Sequence, residues 1–166
     1  MNLSKKRLNL IGILGAMISI QKIELPVPGL ERLLSESRDE GYDFIETLVD
    51  EWASASNRFD APGEALCGHL DQGLLVAVGG LNCDPFAGRS DMGRIRRVYV
   101  RSAWGNQGIG RALMTALIDH ARTHFLCVRL RAENAAAARL YESMGFAPIV
   151  SPDATHILYF NQGIAP

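Results

Sequence analysis

The sequence predicts a single mixed α/β domain. A chain of 166 residues matches one domain of ordinary size and leaves no room for a second catalytic one. Apolar residues make up 48% and charged residues 21%, with a net charge of -1, which is the balance of a globular chain able to bury a core without disulfides or metal. In the second half, helical stripes at 109–121 and 134–144 alternate with strand-like runs at 94–100, 125–131 and 146–150. Crossovers of that kind require locally parallel strands.

Taking the elements in order, Lys5, Lys6 and Arg7 precede an apolar run from Leu8 to Ile20, a pattern similar to the start of a secretory signal. No small-x-small cleavage site follows, and the run is too short to cross a bilayer. Residues 1–16 therefore read as an extension upstream of a domain spanning 17–166, whose first strand is Met17 to Ile23. Pro26 and Pro28 end that strand, and Leu30, Leu33 and Leu34 open a helix that stops near Gly41. Phe44, Ile45, Leu48, Val49 and Trp52 form a second helical stripe, closed by the Ser/Asn-rich stretch 54–57. Strands 65–70 and 74–81 flank the turn Asp71-Gln72-Gly73, with a bend or bulge expected at Gly79-Gly80. The Pro- and Gly-bearing stretch 82–93 reads as a surface loop before the strand Arg94 to Val100. Beyond a Gly-rich turn, Ala112, Leu113, Ala116, Leu117 and Ala121 share a helix face, with Arg111, Thr115 and Asp119 opposite. Strand 125–131, helix 134–144 and strands 146–150 and 155–160 complete the order.

Two blocks carry chemistry. The first, Gly105-Asn106-Gln107-Gly108-Ile109-Gly110-Arg111-Ala112, lies at a strand-to-helix junction. Glycines admit a ligand close to the backbone, and unpaired amides at a helix start attract anions, so the junction suits a pyrophosphate. A tight turn with no ligand is the plainer reading of Gly-x-Gly alone. A Walker loop needs Gly-Lys followed by Ser or Thr, and a dinucleotide fingerprint needs a third glycine where Leu113 stands, so both fail. The next strand also ends in Arg129 and Arg131, not in a ribose-binding carboxylate. In the second block Asn134 and Tyr141 are seven apart and return to one helix face after two turns. Singly, a helix cap and a core aromatic would account for them.

Together these blocks resemble the GCN5-related N-acetyltransferase (GNAT) superfamily. Its cofactor loop reads Gln/Arg-x-x-Gly-x-Gly/Ala, and its later helix carries Asn-x-x-Ala-x-x-x-Tyr before Gly-Phe, as in Asn134, Ala137, Tyr141 and Gly145-Phe146. Arg97-Val98-Tyr99-Val100 looks like the strand preceding that loop. The close match spans Arg94 to Phe146; the first half is similar only in layout. The loop departs from the family at its first position, normally Gln or Arg, where this chain has Gly105, so a side-chain contact to phosphate is missing unless Arg111 or Gln107 replaces it.

The resemblance implies a mixed central sheet of about six to seven strands flanked by about four helices, with a β–α acyl-CoA pyrophosphate loop. It implies an acetyl-CoA-dependent N-acetyltransferase that moves an acetyl group to a primary amine of a small molecule or peptide by direct attack in a ternary complex. The alternative is a non-catalytic acyl-CoA sensor or interaction domain of the same fold. Carried over, Val98 and Val100 present backbone groups to the acetyl and pantetheine portions, and Gln107, Gly108, Gly110 and Arg111 offer amides to the pyrophosphate. Asn134 corresponds to a pantetheine-contacting asparagine, and Tyr141 to the general acid that protonates the departing thiolate. Tyr99, Ile109, Ala112 and Arg139 complete the candidate cofactor-binding set.

No carboxylate in the strand before the loop stands out as general base; Asp84, Asp91 and Glu46 are candidates because their segments border the expected acceptor cleft, and a water chain is an equal alternative. The stretches 31–44, 82–93 and 151–156 are expected to shape acceptor choice. Strict alternation puts Arg96 and Arg97 on opposite sheet faces, so Arg94, Arg96 and Arg97 read as separate solvated or paired charges and not as one patch. Cys67, Cys83 and Cys127 are scattered and odd in number, and His120 with His124 reads as a helix face, so no metal is expected and a reducing cytoplasm fits. The near-neutral charge gives no nucleic-acid partner, no membrane partner is expected, and the resemblance leaves a homodimer open.

Overall fold

The computed structural model describes residues 17–161, so the proposed extension at 1–16 lies outside the described residues. The strands are β1 (Gln21–Lys22), β2 (Ala65–Asp71), β3 (Leu74–Cys83), β4 (Met92–Val100), β5 (Cys127–Leu130), β6 (Ala147–Pro148) and β7 (His156–Tyr159). The helices are α1 (Leu30–Asp39), α2 (Phe44–Ala53), α3 (Ile109–Arg122) and α4 (Ala135–Ser143). One seven-stranded sheet has the order β1-β2-β3-β4-β5-β7-β6. Every neighbouring pair is antiparallel except β4 and β5, which are parallel as the crossover through α3 requires.

The sheet is covered on both faces. On one, Leu33, Ile45 and Leu48 from α1 and α2 pack on Leu66, Leu75, Val78 and Tyr99. On the other, Leu113, Leu117 and Tyr141 pack with Ala77, Ile95 and Val128. The buried face of α3 is Ile109, Leu113, Met114, Leu117, Ile118 and Ala121. It is rotated from the expected stripe, leaving Ala112 and Ala116 half-buried. The helix crosses the sheet at Gly79, where an added Cβ would meet Leu117 at 3.0 Å and Leu113 at 3.2 Å, so any side chain there would push those leucines back.

Several boundaries move. The first strand is two residues long, although Ile23 N still donates to the Leu66 carbonyl and the Ser19 carbonyl contacts the His69 ring. β3 runs on to Cys83 and pairs with Gly93, which shortens the loop to 84–91 and starts β4 at Met92. β6 is also short, because Pro148 has no amide to donate and sits on the edge strand.

Two irregularities make a site. β4 and β5 pair only through Met92, Gly93 and Arg94 opposite Cys127, Val128 and Arg129, and then separate. Facing β3, the register shifts between Val78 and Gly80, so that Arg97 and Val98 together oppose Gly79. The bulge is thus where the paired glycines predicted it, with its extra residue contributed by β4, and Arg97 takes φ 61 to accommodate it.

Candidate active site

The split between β4 and β5 exposes backbone. Arg101 N donates to Val76 O at 2.9 Å, and Val100 lies opposite Ala77. Antiparallel alternation therefore turns the Val100 N–H and C=O away from β3 and into the split, where no strand among the described residues meets them. Two cavities run along this opening. The inner one, about 200 Å³, is lined by Phe44, Phe86, Arg94 to Val98, Leu130, Arg131, Glu133 and Tyr141. The outer one, about 320 Å³, is lined by Val100, Trp104, Gly105, Asn106, Gly108 to Arg111, Ala136 and Leu140.

The outer cavity is built by a clamped loop. After β4 the chain makes a single 3₁₀ turn, Ser102–Trp104. Glu36 on α1 accepts from Arg101 Nε at 2.9 Å, Ser102 N at 2.6 Å and Ser102 Oγ at 2.8 Å. Trp104 Nε1 donates to Asp71 at 2.9 Å, and Arg101 covers its ring. Asn106 at φ 57 and Gly108 at φ 83 then reverse the chain into α3. The first helical hydrogen bond at that end is Ala112 N to Gly108 O, 3.0 Å, so the amides of Ile109, Gly110 and Arg111 open on the cavity. Three convergent amides at a helix N-terminus, beside a wall of Val100, Ala136 and Leu140, fit a diphosphate with an extended apolar arm.

At the inner end Tyr141 is 7% exposed and lines the cavity. Burial, helped by the nearby charge of Glu133, pushes its phenol up to about 12, so the hydroxyl stays protonated across the neutral range. Asn134 caps α4, its Oδ1 accepting from Ala137 N at 2.9 Å, while its Nδ2 donates to the Tyr42 hydroxyl at 3.2 Å.

A family model described as the acetyltransferase (GNAT) family matches residues 28–146, most of the chain. The chain belongs to the GNAT family. Among curated GNAT relatives, the L-methionine sulfoximine/L-methionine sulfone acetyltransferase of Salmonella typhimurium is 42% identical over 52 residues, 30% of each chain. The N-alpha-acetyltransferase RimI of Mycobacterium tuberculosis is 31% identical over 106 residues, 58% of this chain and 62% of that one. The alignments thus span less than two-thirds of either relative. Among solved structures, a putative acetyltransferase from Exiguobacterium sp. 255-15 superposes with a TM-score of 0.78 at 27% identity, covering 86% of this chain and 93% of that one.

Within this GNAT frame the expected residues divide. Val98 and Tyr141 meet at the inner cavity, and Val100, Gly108, Ile109, Gly110 and Arg111 at the outer one. The Tyr99 ring is buried among α1 and α2, beside Tyr42 and Phe44, leaving only its backbone to the split. Ala112 is half-buried within α3, and Arg139 is exposed on α4; neither lines a cavity. Gln107 folds back toward the Ala103 carbonyl at 3.4 Å, and Arg111 donates to Ser143 Oγ at 2.9 Å, so of the two only Arg111 reaches the cavity wall.

The three carboxylates considered as bases are elsewhere. Glu46 pairs with Arg38 and Asp91 with Arg89 on the surface, and Asp84 is fully buried against Arg129 at 2.8 Å. The acid on the inner lining is Glu133, beside Asn134 in sequence and beyond β5, away from the segments before the Gly-rich loop where a base was expected. Arg96 and Arg97 require a correction: the bulge breaks alternation, and both line the inner cavity with Arg94. Phe44 and Phe86 on its wall, and the Pro152 and Asp153 carbonyls bonded to Arg131 and Arg94, come from the three stretches expected to shape acceptor choice. Cys67 and Cys127 are buried and their thiols are pushed up by that burial, and no cysteine lines either cavity. Among the described residues no helix is long and apolar enough to cross a membrane.

Proposed function

We propose that the protein transfers the acetyl group of acetyl-CoA to a primary amine of a small molecule or peptide, by direct attack with both substrates bound. The observation that carries this reading is the alignment, along one split in the sheet, of open helix amides, an open Val100 amide and a protonated, buried Tyr141. Family membership, and two relatives named for acetylating L-methionine derivatives and α-amino groups, support it.

In this reading the open amides of Ile109, Gly110 and Arg111 hold the pyrophosphate, with Gly108 allowing its close approach and the Arg111 side chain at the rim, while Gln107, Ala112 and Arg139 stand outside the contact. Val98, Tyr99 and Val100 offer backbone groups, and Asn134 turns its Nδ2 from Tyr42 to the pantetheine amides. Acetyl-CoA supplies an activated thioester: a carbon–nitrogen bond forms to the acceptor as the carbon–sulfur bond breaks and sulfur leaves with the electron pair. The Val100 N–H is oriented to stabilise charge gathering on the carbonyl oxygen. Tyr141 donates its proton to the sulfur. Burial that raises the phenol also raises a thiol in the same cavity, so the transfer is not opposed by the shift in Tyr141 alone. The proton lost by the amine passes to Glu133, which is exposed and returns it to bulk water. With no cysteine, serine or threonine on the inner lining, direct attack is the simpler route.

The test is Tyr141→Phe. We expect turnover to fall by about 10²–10⁴ while acetyl-CoA affinity, read from the rise in melting temperature, changes little. Unchanged turnover would remove Tyr141 from the reaction. Cofactor binding with no transfer to any amine would favour the sensor alternative.

A further inference from the structure

The inner cavity gathers more positive charge than its surroundings neutralise. Arg94, Arg96 and Arg97 reach it from β4, because the bulge brings successive residues to one opening, and Arg131 reaches it from the end of β5. The neighbouring carboxylates answer part of this charge: Glu51 holds Arg97 at 3.1 Å, and Asp84 holds Arg129 at 2.8 Å and lies 3.8 Å from Arg94 Nη1, leaving Arg96 and Arg131 without one among the described residues. Asp153 offers its backbone carbonyl to Arg94 at 2.6 Å and also draws electrostatically on Arg94 and Arg129. Arg96 has no ion pair among the described residues, and Arg131 donates only to the Pro152 carbonyl at 2.6 Å.

Two donors there are orphaned as well as buried. Arg94, only 7% exposed, has an Nη1 with no hydrogen-bond acceptor, and so does the Nε of Arg97. Native interiors hold few such unmet donors, and a planar carboxylate is the group a guanidinium fork matches in two bonds. Burial, and next the adjacent Arg97, hold the Arg96 guanidinium below its ordinary range, as expected of a cation short of counter-charge. The lining also carries one acid, Glu133, on the Tyr141 side of the opening. At about 200 Å³ the cavity is smaller than the roughly 300–1,000 Å³ that drug-sized ligands occupy.

We infer that the acceptor is a small zwitterion of the α-amino acid class, its carboxylate held by Arg96 and Arg131 in the positive field that the buried Arg94 and Arg97 reinforce, and its ammonium directed to Glu133 and Tyr141. This rests on the transferase reading above. Polyamines and isolated lysine side chains, which bring only positive charge, are disfavoured by the same residues.

The test measures release of the coenzyme A thiol with each L-α-amino acid, its carboxamide, spermidine and O-phosphoethanolamine. We expect at least one amino acid to exceed its carboxamide by about tenfold or more in kcat/KM. Arg96→Gln at a half-buried position and Arg131→Gln at an exposed one should each raise the KM for that amino acid about tenfold while the KM for acetyl-CoA stays within about twofold. Equal use of carboxamides or spermidine, sole use of O-phosphoethanolamine, or an unchanged amino-acid KM in both variants would overturn the inference. A separate binding arm compares N-acetyl-L-amino acids with their carboxamides in raising the melting temperature of the coenzyme A complex. A carboxylate-selective rise without turnover of any amine would sink the transferase reading and leave the anion site standing. No selective rise and no turnover would sink both.

Discussion

Asp84→Asn isolates the charge arrangement at the base of the split. Register places Arg94 directly opposite Arg129 in the last parallel pair before β4 and β5 separate. Two cations so placed repel unless something stands between them. Asp84 does: its side chain is 0% exposed, Oδ2 accepts from Arg129 Nε at 2.8 Å and lies 3.8 Å from Arg94 Nη1, and Oδ1 accepts from Phe86 N at 2.9 Å. Asparagine keeps the shape and the oxygen facing Phe86 N but removes the counter-charge. Breaking one side of a buried pair costs about 3–5 kcal/mol. Asp153, which also attracts both arginines, and the remaining amide oxygen put the expected loss near the lower end, about 3 kcal/mol. For a chain of this size each kcal/mol shifts the melting temperature by about 2–4 °C, so the variant should melt about 6–12 °C below wild type. Calorimetric melting at pH 7 and low salt reads this directly. Asp84→Asn/Arg129→Gln should regain part of the loss, since removing both charges leaves less uncompensated. A shift under about 2 °C, or strictly additive single variants, would refute the assignment of Asp84 as counter-ion.

Two further expectations concern the cofactor loop and the acid. Gly105 has φ -65 and ψ 158, open to any residue, and an added Cβ would meet only the Ser102 carbonyl, at 3.1 Å. Gly105→Arg should therefore fold and add a charge-assisted bond to the pyrophosphate; from a gross gain of about 1.5–3 kcal/mol, side-chain ordering leaves a few-fold lower Kd for acetyl-CoA in calorimetry. Unchanged affinity would mean that the loop does not present this position to phosphate. The phenol of Tyr141, raised to about 12 chiefly by burial, keeps its proton wherever an ordinary tyrosine near 10 would begin to lose it. Turnover should rise with pH as the amine deprotonates and show no alkaline decline up to about pH 10. Because the native state holds this proton more tightly than the unfolded chain, Tyr141's contribution to stability is complete below about pH 10 and declines between about 10 and 12. An alkaline limb near pH 9 in kcat, absent in Tyr141→Phe, would contradict the raised value.

Much of the layout was legible because it rests on local patterns. The stripe from Phe44 to Trp52, the turn Asp71-Gln72-Gly73 and the glycines before Ile109 each fix an element by period or by backbone freedom, and all three are where the sequence put them. Ends were less legible, since β3 continues to Cys83 only because Gly93 pairs across from it, a tertiary fact. The proposed cofactor side of the split was readable from two contiguous blocks, Gly105 to Ala112 and Asn134 to Phe146. The proposed acceptor side was not. Arg94, Arg96, Arg97, Arg131, Glu133, Phe44 and Phe86 come from four separate segments, and no one-dimensional spacing records their convergence.

The miss at Arg96 and Arg97 has one physical origin. Alternation is a property of an uninterrupted pleat, and paired glycines at 79 and 80 signal an interruption without saying which strand carries the additional residue. Here β4 carries it, and Arg97, not a glycine, adopts φ 61. A non-glycine residue in that region costs about 1–2 kcal/mol. Gly79 opposite provides the room, and the bond from Arg97 Nη2 to Glu51 at 3.1 Å helps to offset the strain. The same phase change sends the Tyr99 ring into the α1–α2 core and leaves Val98 and Val100 beside α3 and α4, with the Val100 amide in the split. One strained residue thus connects the open Val100 amide, proposed to stabilise the carbonyl oxygen, to the guanidiniums proposed to select an acceptor, and strain retained at such a junction is more readily explained by what it aligns than by packing alone.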